Sequence, residues 1–193
     1  EIYSKNPNIV CTDRETGKFG IIDLSGNWII KPEYTGLGET GHAHYFEMDN
    51  KENWYRLDIN QKKLIEVDYE IKCKSEKYTD GNTIAKHNVS KKYGVVNELS
   101  GKTIIPFEYD ELKVVNDEFL KIEKNINGKD YEGIINYKNE IIIPAEHEYI
   151  KWIDPLFVIS ANTSADVQDL IIDKTGKLLT SKYRISGNNP NFK

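Results

Sequence analysis

The sequence is poor in cysteine and has no long hydrophobic run. Its two cysteines, Cys11 and Cys73, are too few for a disulfide framework, although one bridge is possible. The cysteine content therefore does not indicate whether the protein works in an oxidising or a reducing compartment. No apolar run approaches the ~18 residues that a membrane-spanning helix needs, and we therefore expect no membrane span. The chain begins at Glu1 and shows no signal peptide, so we expect that its N-terminus has been trimmed.

Clustered positive charge is also scarce. The 193 residues include 26 Lys and Arg against 31 Asp and Glu, which gives a formal net charge of −5. Nucleic acids and anionic membranes select for gathered Lys and Arg, so this balance argues against both as the main partner. It is compatible with a basic protein partner and equally with simple solubility.

A helical pattern is likewise missing, because no segment carries an apolar 3.6-residue period over three turns. The chain instead repeats one phrase, in which an apolar run ends in Asp or Asn, a tight turn follows, and a second apolar run ends near a Tyr. The copies are GIIDLSGNWIIKPEY (20–34), YRLDINQKKLIEVDY (55–69), GVVNELSGKTIIPFEY (94–109), GIINYKNEIIIPAEHEY (133–149) and LIIDKTGKLLTSKY (170–183). A fixed period of this size marks a repeat architecture.

Each phrase predicts a β-hairpin. The anchoring acid or amide recurs at intervals of 35, 39, 39 and 37 residues, at Asp23, Asp58, Asn97, Asn136 and Asp173. Such a side chain can bond to the backbone of the turn that follows, and a nearby Gly supplies a positive φ. The runs on either side are β-branched and too short for helices. Three copies then place a Pro where the ladder should stop or meet a sheet edge, at Pro32, Pro106 and Pro144.

Further strands flank the hairpins. One precedes each phrase, at residues 8–13, 44–49, 83–87, 119–124 and 156–161. A shorter alternating piece follows some of them, at residues 69–74, 111–116 and 149–154. Period-two spacing puts apolar pairs on one face of these pieces, namely Ile71 with Cys73, Leu112 with Val114, and Ile150 with Trp152.

These patterns predict an all-β protein of five ~38-residue antiparallel β-meander repeats in a single domain over residues 1–193. The expected repeats cover approximately residues 8–36, 43–74, 82–116, 118–154 and 156–186. One meander cannot bury its own apolar face, but five can do so by stacking or by closing into a ring. We expect a propeller-like ring, which hides most sheet edges, and an open curved β-repeat array is the alternative.

The phrase resembles the bacterial WG (KWG) β-repeat, in which a Trp-Gly pair opens the unit and a Pro-x-x-Tyr phrase closes it. Residues 18–23 (KFGIID) with 29–34 (IIKPEY) match it, and so do residues 92–97 (KYGVVN). The Trp position holds Phe19, Trp54 and Tyr93, and the Gly position becomes Tyr55 and Leu170 in two copies. The resemblance implies a bacterial binding or scaffolding part, with no catalytic residue set. It places the protein in the cytoplasm, periplasm or cell envelope without choosing between them.

Few residues are candidates for chemistry. His42 and His44 would share one face of a strand and could together bind a metal ion. This pattern alone is a weak signal, and a pair of surface histidines explains it as well. Glu33, Glu108 and Glu146 recur at the repeat spacing, so they sit at equivalent places in different copies. No motif of a known enzyme class is present, and we expect no catalytic, cofactor or metal site.

Partner binding is the better hypothesis for the unusual positions. The register of Trp28 matches Lys63 and Thr103 in other copies, which suggests that its indole faces solvent as an interface anchor or packs on a neighbouring repeat. Residues 36–49 depart most from their siblings, and repeat proteins place specificity in such departures. The candidate partner-binding residues are Trp28, Glu39, His42, His44, Glu47 and Asp49.

Three functions follow from these observations. The first is a non-enzymatic scaffold that binds a partner protein, in its most specific form an immunity-type or accessory protein that neutralises a basic bacterial toxin. The second is a secreted or cell-envelope module that binds carbohydrate or another surface ligand through repeated aromatics. The third, least favoured, is an enzyme using His42, His44 and the recurrent glutamates.

Overall fold

The computed structural model describes residues 8–39, 45–47, 54–58, 60–72, 81–160 and 169–183. These residues form nineteen strands in five sheets. Sheet 1 contains β1 (Asn8–Thr12), β2 (Phe19–Asp23) and β3 (Trp28–Tyr34). Sheet 2 contains β4 (Gly38–Glu39), β5 (Tyr45–Glu47), β6 (Trp54–Asp58) and β7 (Lys63–Val67). Sheet 3 contains β8 (Tyr69–Ile71), β9 (Asn82–His87), β10 (Tyr93–Asn97) and β11 (Thr103–Tyr109). Sheet 4 contains β12 (Glu111–Val114), β13 (Phe119–Ile126), β14 (Lys129–Asn136) and β15 (Ile141–His147). Sheet 5 contains β16 (Ile150–Ile153), β17 (Leu156–Ser160), β18 (Asp169–Asp173) and β19 (Leu178–Tyr183).

Each sheet is an antiparallel meander whose strands follow one another in chain order. The all-β prediction is therefore confirmed, and within the described ranges no sheet closes into a barrel. Separate sheets of this kind agree with the open-array alternative, while closure of the five into a ring stays a prediction. In the described part of the chain, no helix is long and apolar enough to cross a membrane.

The sheets are offset from the predicted repeats. The alternating pieces that follow the hairpins were assigned to the repeat before them, but β8, β12 and β16 each pair with the strand after them. Alternation had correctly indicated the buried faces, since Ile71, Leu112 and Ile150 are all at most 6% exposed. Cys73, at the end of the first piece, lies outside the described residues. Sheets 3, 4 and 5 thus each begin with the alternating piece that follows one phrase and finish with the hairpin of the next phrase.

Residues 1–107 form one compact unit. Between its first two sheets, a core of Ile21, Ile30, Leu37 and Leu57 is at most 5% exposed. Between its second and third sheets, the buried residues are Tyr69, Ile71, Ala85 and Val96, with Trp54, Val67 and Phe107 packed against them. Within this unit, sheets 1 and 2 and sheets 2 and 3 therefore bury apolar residues against each other, as stacking of repeats requires.

Residues 108–193 form the second compact unit. Its core joins sheets 4 and 5 and consists of Phe119, Ile134, Ile143, Ile150, Phe157, Ile159 and Ile172. Three aromatic rings meet inside it: the Phe157 centroid lies 4.6 Å from that of Trp152 and 5.3 Å from that of Phe119. Edge-on and tilted pairs at these distances add to the stabilisation from buried area.

The glycine at the start of the phrase creates a wide bulge in the hairpin. In sheet 1, Phe19 pairs with Tyr34 and Ile21 with Ile30, so that one residue of β2 faces three of β3. That single residue is Gly20, and a Cβ placed on it would lie 2.6 Å from the Ile30 carbonyl oxygen. Sheet 4 repeats the arrangement, with Gly133 facing residues 144–146. The extra residues include Pro32 and Pro144, which suit unpaired positions on an edge strand.

Copies that lack this glycine have a different ladder. Tyr55 occupies the position in sheet 2, and there β6 and β7 pair one to one without a shift. Leu170 occupies it in sheet 5, and it faces two residues of β19 instead of three. The width of the bulge thus follows the side chain, because only glycine lets the backbone of the neighbouring strand approach so closely.

The recurrent Asp and Asn side chains cap the hairpin turns, as predicted. Asp23 Oδ1 accepts hydrogen bonds from the backbone N–H groups of Ser25 at 2.8 Å and Asn27 at 2.9 Å. Asn136 Oδ1 does the same for Lys138 and Glu140, both at 2.9 Å. The remaining members accept equivalent bonds, at Asp58, Asn97 and Asp173. Acid and amide are interchangeable here because the turn uses only the acceptor oxygen.

These caps make an acid-dependent contribution to stability. The backbone N–H of Asn27 lowers the pKa of Asp23, and the hydroxyl of Thr175 lowers the pKa of Asp173, both from 3.8. A lowered pKa in the folded state means that the stabilisation is complete above pH 3.8 and is lost as the pH falls through the folded value. We expect the double variant Asp23→Asn, Asp173→Asn to fold normally and to lose less stability than the wild type between about pH 4 and pH 2.

Urea unfolding at a series of pH values measures this difference. Asn136 is an internal precedent for the amide in the same turn, because it accepts from the N–H groups two and four residues on, as Asp23 and Asp173 do, so a folding defect is not expected. Parallel stability curves for the two proteins throughout the acid range would show that these two carboxylates carry no pH dependence.

Candidate functional site

Trp28 presents a fixed and half-exposed aromatic ring. It is the first residue of β3, the edge strand of sheet 1, and it pairs with Ile22. Its side chain is 40% exposed. The inner edge of the ring lies directly over Gly20, since a Cβ on that glycine would be 2.7 Å from Trp28 Cζ3. The indole is therefore held by the same glycine that forms the bulge, while its outer part meets solvent.

The other predicted partner-binding residues lie on the β4–β5 hairpin or outside the described residues. Glu39 belongs to β4 and pairs with Phe46, and Glu47 belongs to β5 and pairs with Gly38. The backbone thus brings Glu39 and Glu47 onto adjacent strands. His42, His44 and Asp49 lie outside the described residues, and so does the metal hypothesis attached to the two histidines.

The recurrent glutamates occupy equivalent positions on separate sheets. Glu33, Glu108 and Glu146 are each exposed and lie on the edge strand of sheets 1, 3 and 4. This is the placement that the repeat spacing predicted. As solvent-exposed carboxylates they have the character of surface charges.

A cavity that the sequence hypotheses did not foresee lies between sheets 2 and 3. It has a volume of about 570 Å³ and opens to solvent. One wall is β7 with the residues that follow it, and the other is the turn between β10 and β11. Its lining comprises Arg56, Ile65, Glu66, Val67, Asp68, Tyr69, Ser100 and Gly101.

Arg56 is the unusual member of this lining. It is only 9% exposed, and its Nη1 donates a hydrogen bond to the Leu99 carbonyl oxygen at 2.8 Å. The guanidinium presses against the turn, because a Cβ on Gly101 would lie 2.6 Å from Arg56 Nε. A buried guanidinium carries a large desolvation cost, so its position is a marked departure from the rest of the core.

Comparison of the copies would have revealed Arg56. The same position holds Ile21, Val95 and Ile134 in three other copies, all at most 1% exposed, and Ile171 in the fifth. Residues 55–58 (YRLD) therefore differ from residues 20–23 (GIID) by placing a charged side chain at the buried second position. The cavity itself was not predictable from this signal, since the turn that covers Arg56 lies 43 residues further along the chain.

An aromatic stack supports the base of the cavity. Tyr69 stacks on Phe107 with ring centroids 5.6 Å apart, and His87 packs on Phe107 at the same distance. His87 Nε2 also lies 3.4 Å from Asp68 Oδ2. Two neighbouring residues of the lining therefore contact side chains of sheet 3: Asp68 contacts His87, and Tyr69 contacts Phe107.

The bulge glycines coincide with a match to a known family. The family model of the WG-containing repeat matches residues 19–39 and 93–129. Two segments of the chain are therefore similar to WG repeats. No curated protein matches the chain at a significant level.

The two matched segments contain Gly20 and Gly94, the glycines whose missing side chains admit the neighbouring backbone. A glycine at the second position of the Trp-Gly pair is thus a requirement of the wide bulge. Copies with Tyr55 and Leu170 at that position fall outside the matched ranges. Gly133, which forms the same bulge in sheet 4, also lies outside the matched ranges.

Proposed function

We propose that this WG-repeat protein is a non-enzymatic scaffold that binds a partner protein through the surface around Trp28. The proposal depends chiefly on one observation, the indole that is 40% exposed on an edge strand yet held against Gly20. A rigid, half-exposed Trp loses little conformational freedom on binding and is the residue type most enriched at interface hot spots.

The edge strand strengthens this proposal. Strand β3 ends its sheet, and the residue equivalent to Trp28 in β15, Ile141, is 66% exposed. Edge strands offer unpaired backbone groups to a partner, and an adjacent aromatic anchor adds specificity. The protein as a whole carries a net charge of −5, which favours a basic partner. Neutralisation of a basic bacterial toxin, as by an immunity-type protein, is the specific form that we propose.

Substitution of Trp28 tests the proposal. We expect Trp28→Ala to weaken the complex by about 2 kcal/mol, roughly 30-fold in Kd, because truncating an anchoring Trp removes a hot-spot contact. The partner would first be captured on the immobilised protein from a lysate of the source organism and identified by mass spectrometry. Titration calorimetry of the purified pair would then give Kd for each variant.

Ile141→Ala is the matched control, since it removes an apolar side chain from the equivalent position of another edge strand. We expect it to bind as the wild type does, and we expect affinity to fall as salt rises. Equal binding by wild type, Trp28→Ala and Ile141→Ala would contradict the proposed surface. Elution of the captured material by soluble glycans would favour the carbohydrate-binding alternative.

A further inference from the structure

The cavity beside Arg56 combines one buried cation with an apolar patch on one wall. Partly buried Ile65 and Val67 line it together with the buried ring of Tyr69. A volume of about 570 Å³ lies within the range of sites that bind small molecules or a few residues of a peptide. Such sites are mostly apolar and contain a small number of polar groups that orient the ligand.

The guanidinium of Arg56 has hydrogen-bonding capacity to spare. It offers five N–H donors, of which Nη1 is used by the neutral carbonyl of Leu99. Among the described residues, no carboxylate forms an ion pair with it. A buried cation without an anionic partner is costly, and an incoming anion would relieve that cost.

Acidic residues at the rim of the cavity favour an anion with a single negative charge. Glu66 and Asp68 also line it, and both are exposed to solvent. Their negative charges would oppose a phosphate dianion more strongly than a singly charged carboxylate. Carboxylates also match the planar fork of a guanidinium with two parallel hydrogen bonds.

We propose that this cavity binds a carboxylate attached to a small apolar group, with Arg56 as the residue that recognises it. The carboxylate belongs either to a free organic acid or to the C-terminus of a peptide. The site is independent of the Trp28 surface, and its test requires no partner protein.

Binding of two probes tests the proposal by NMR titration of the full chain. Hexanoate represents the free acid, and a short acetylated peptide ending in Leu represents the peptide C-terminus. We expect at least one probe to shift the backbone amide signals of Ser100 and Gly101. Binding of hexanoate alone would indicate a free acid, and binding of the peptide alone would indicate a C-terminus. The amides of both probes are the neutral controls, and they should bind at least tenfold more weakly.

Two variants then separate recognition from support of the fold. Arg56→Ile restores the residue type of the sibling copies, so we expect a melting temperature no lower than that of the wild type and at least tenfold weaker probe binding. Glu66→Gln removes a negative charge from the rim and should strengthen binding by a few fold. If Arg56→Ile does not fold, Arg56→Gln keeps a long polar side chain without the charge and should show the same loss of binding.

Three results would overturn the proposal. The first is that neither acid binds, and the second is that the neutral amides bind as well as the acids. The third is that Arg56→Ile binds the acids as tightly as the wild type does, because Arg56 would then not be the residue that recognises the carboxylate. In the first case, a lower melting temperature of Arg56→Ile would show that Arg56 serves to hold the Leu99 turn and not to bind an acid.

Discussion

Gly133→Ala is expected to destabilise the protein by about 3 kcal/mol, although alanine normally suits a strand better than glycine. The added Cβ would lie 2.8 Å from both the Ile143 carbonyl oxygen and the Ala145 nitrogen. Real Cβ atoms do not approach that closely, and the obstructing atoms are backbone, so no side-chain rotation can make room. Strand β15 must move away from β14, which disturbs the core that contains Ile134 and Ile143. For a chain of this length, we expect the melting temperature to fall by roughly 6 to 12 °C.

Gly128→Ala in the same sheet is the matched control. Gly128 has a φ of +83°, and nothing lies within 4 Å of an added Cβ. Its substitution should cost only the backbone strain of a left-handed residue, about 1 kcal/mol. Equal losses for the two variants in urea unfolding would show that close approach is not what Gly133 provides. An unchanged stability for Gly133→Ala would mean that β15 relaxes to the regular ladder found between β6 and β7.

Phe157→Ala is expected to cost about 4 kcal/mol. Phe157 is fully buried in β17 and touches the rings of Trp152 and Phe119. Its removal would leave a cavity between sheets 4 and 5 and would break both aromatic contacts. Urea unfolding followed by far-UV circular dichroism measures the loss.

Phe157→Leu provides the comparison, since leucine keeps most of the buried volume and should cost about 1.5 kcal/mol. Tyr149→Ala tests the specificity of the effect in the same unit. Tyr149 is 48% exposed, so its truncation should change stability by no more than about 0.5 kcal/mol. A Phe157→Ala loss as small as that of Phe157→Leu would show that the two sheets collapse around the missing ring.

Strands, turns and buried faces were predictable because the interactions that specify them are local. Asp23 caps a turn whose N–H groups lie two and four residues away, so the phrase itself contains both partners. Alternation in residues 111–116 likewise indicated Leu112 as buried. Alternation does not indicate which strand will be the neighbour, and for that reason β12 was assigned to the preceding repeat although it pairs with β13.

The candidate sites were predictable only in part. The exposure of Trp28 was suggested by its register, whereas its support by Gly20 depends on a bulge that brings together atoms from two strands. Arg56 was visible as a break in the apolar pattern, but its environment requires the turn of the next sheet. Residues whose role depends on distant partners are those for which pattern alone is insufficient.

The offset between phrase and sheet has a consequence for how such proteins gain and lose copies. Single residues, Asp68 and Asp110, join β7 to β8 and β11 to β12. Removal of residues 69–110 would delete sheet 3 whole and leave Asp68 as the same one-residue link between β7 and β12. A recombination event with its boundaries at these one-residue links changes the number of sheets without dividing any of them. One that followed the boundaries of the phrase would separate a first strand from the hairpin it completes.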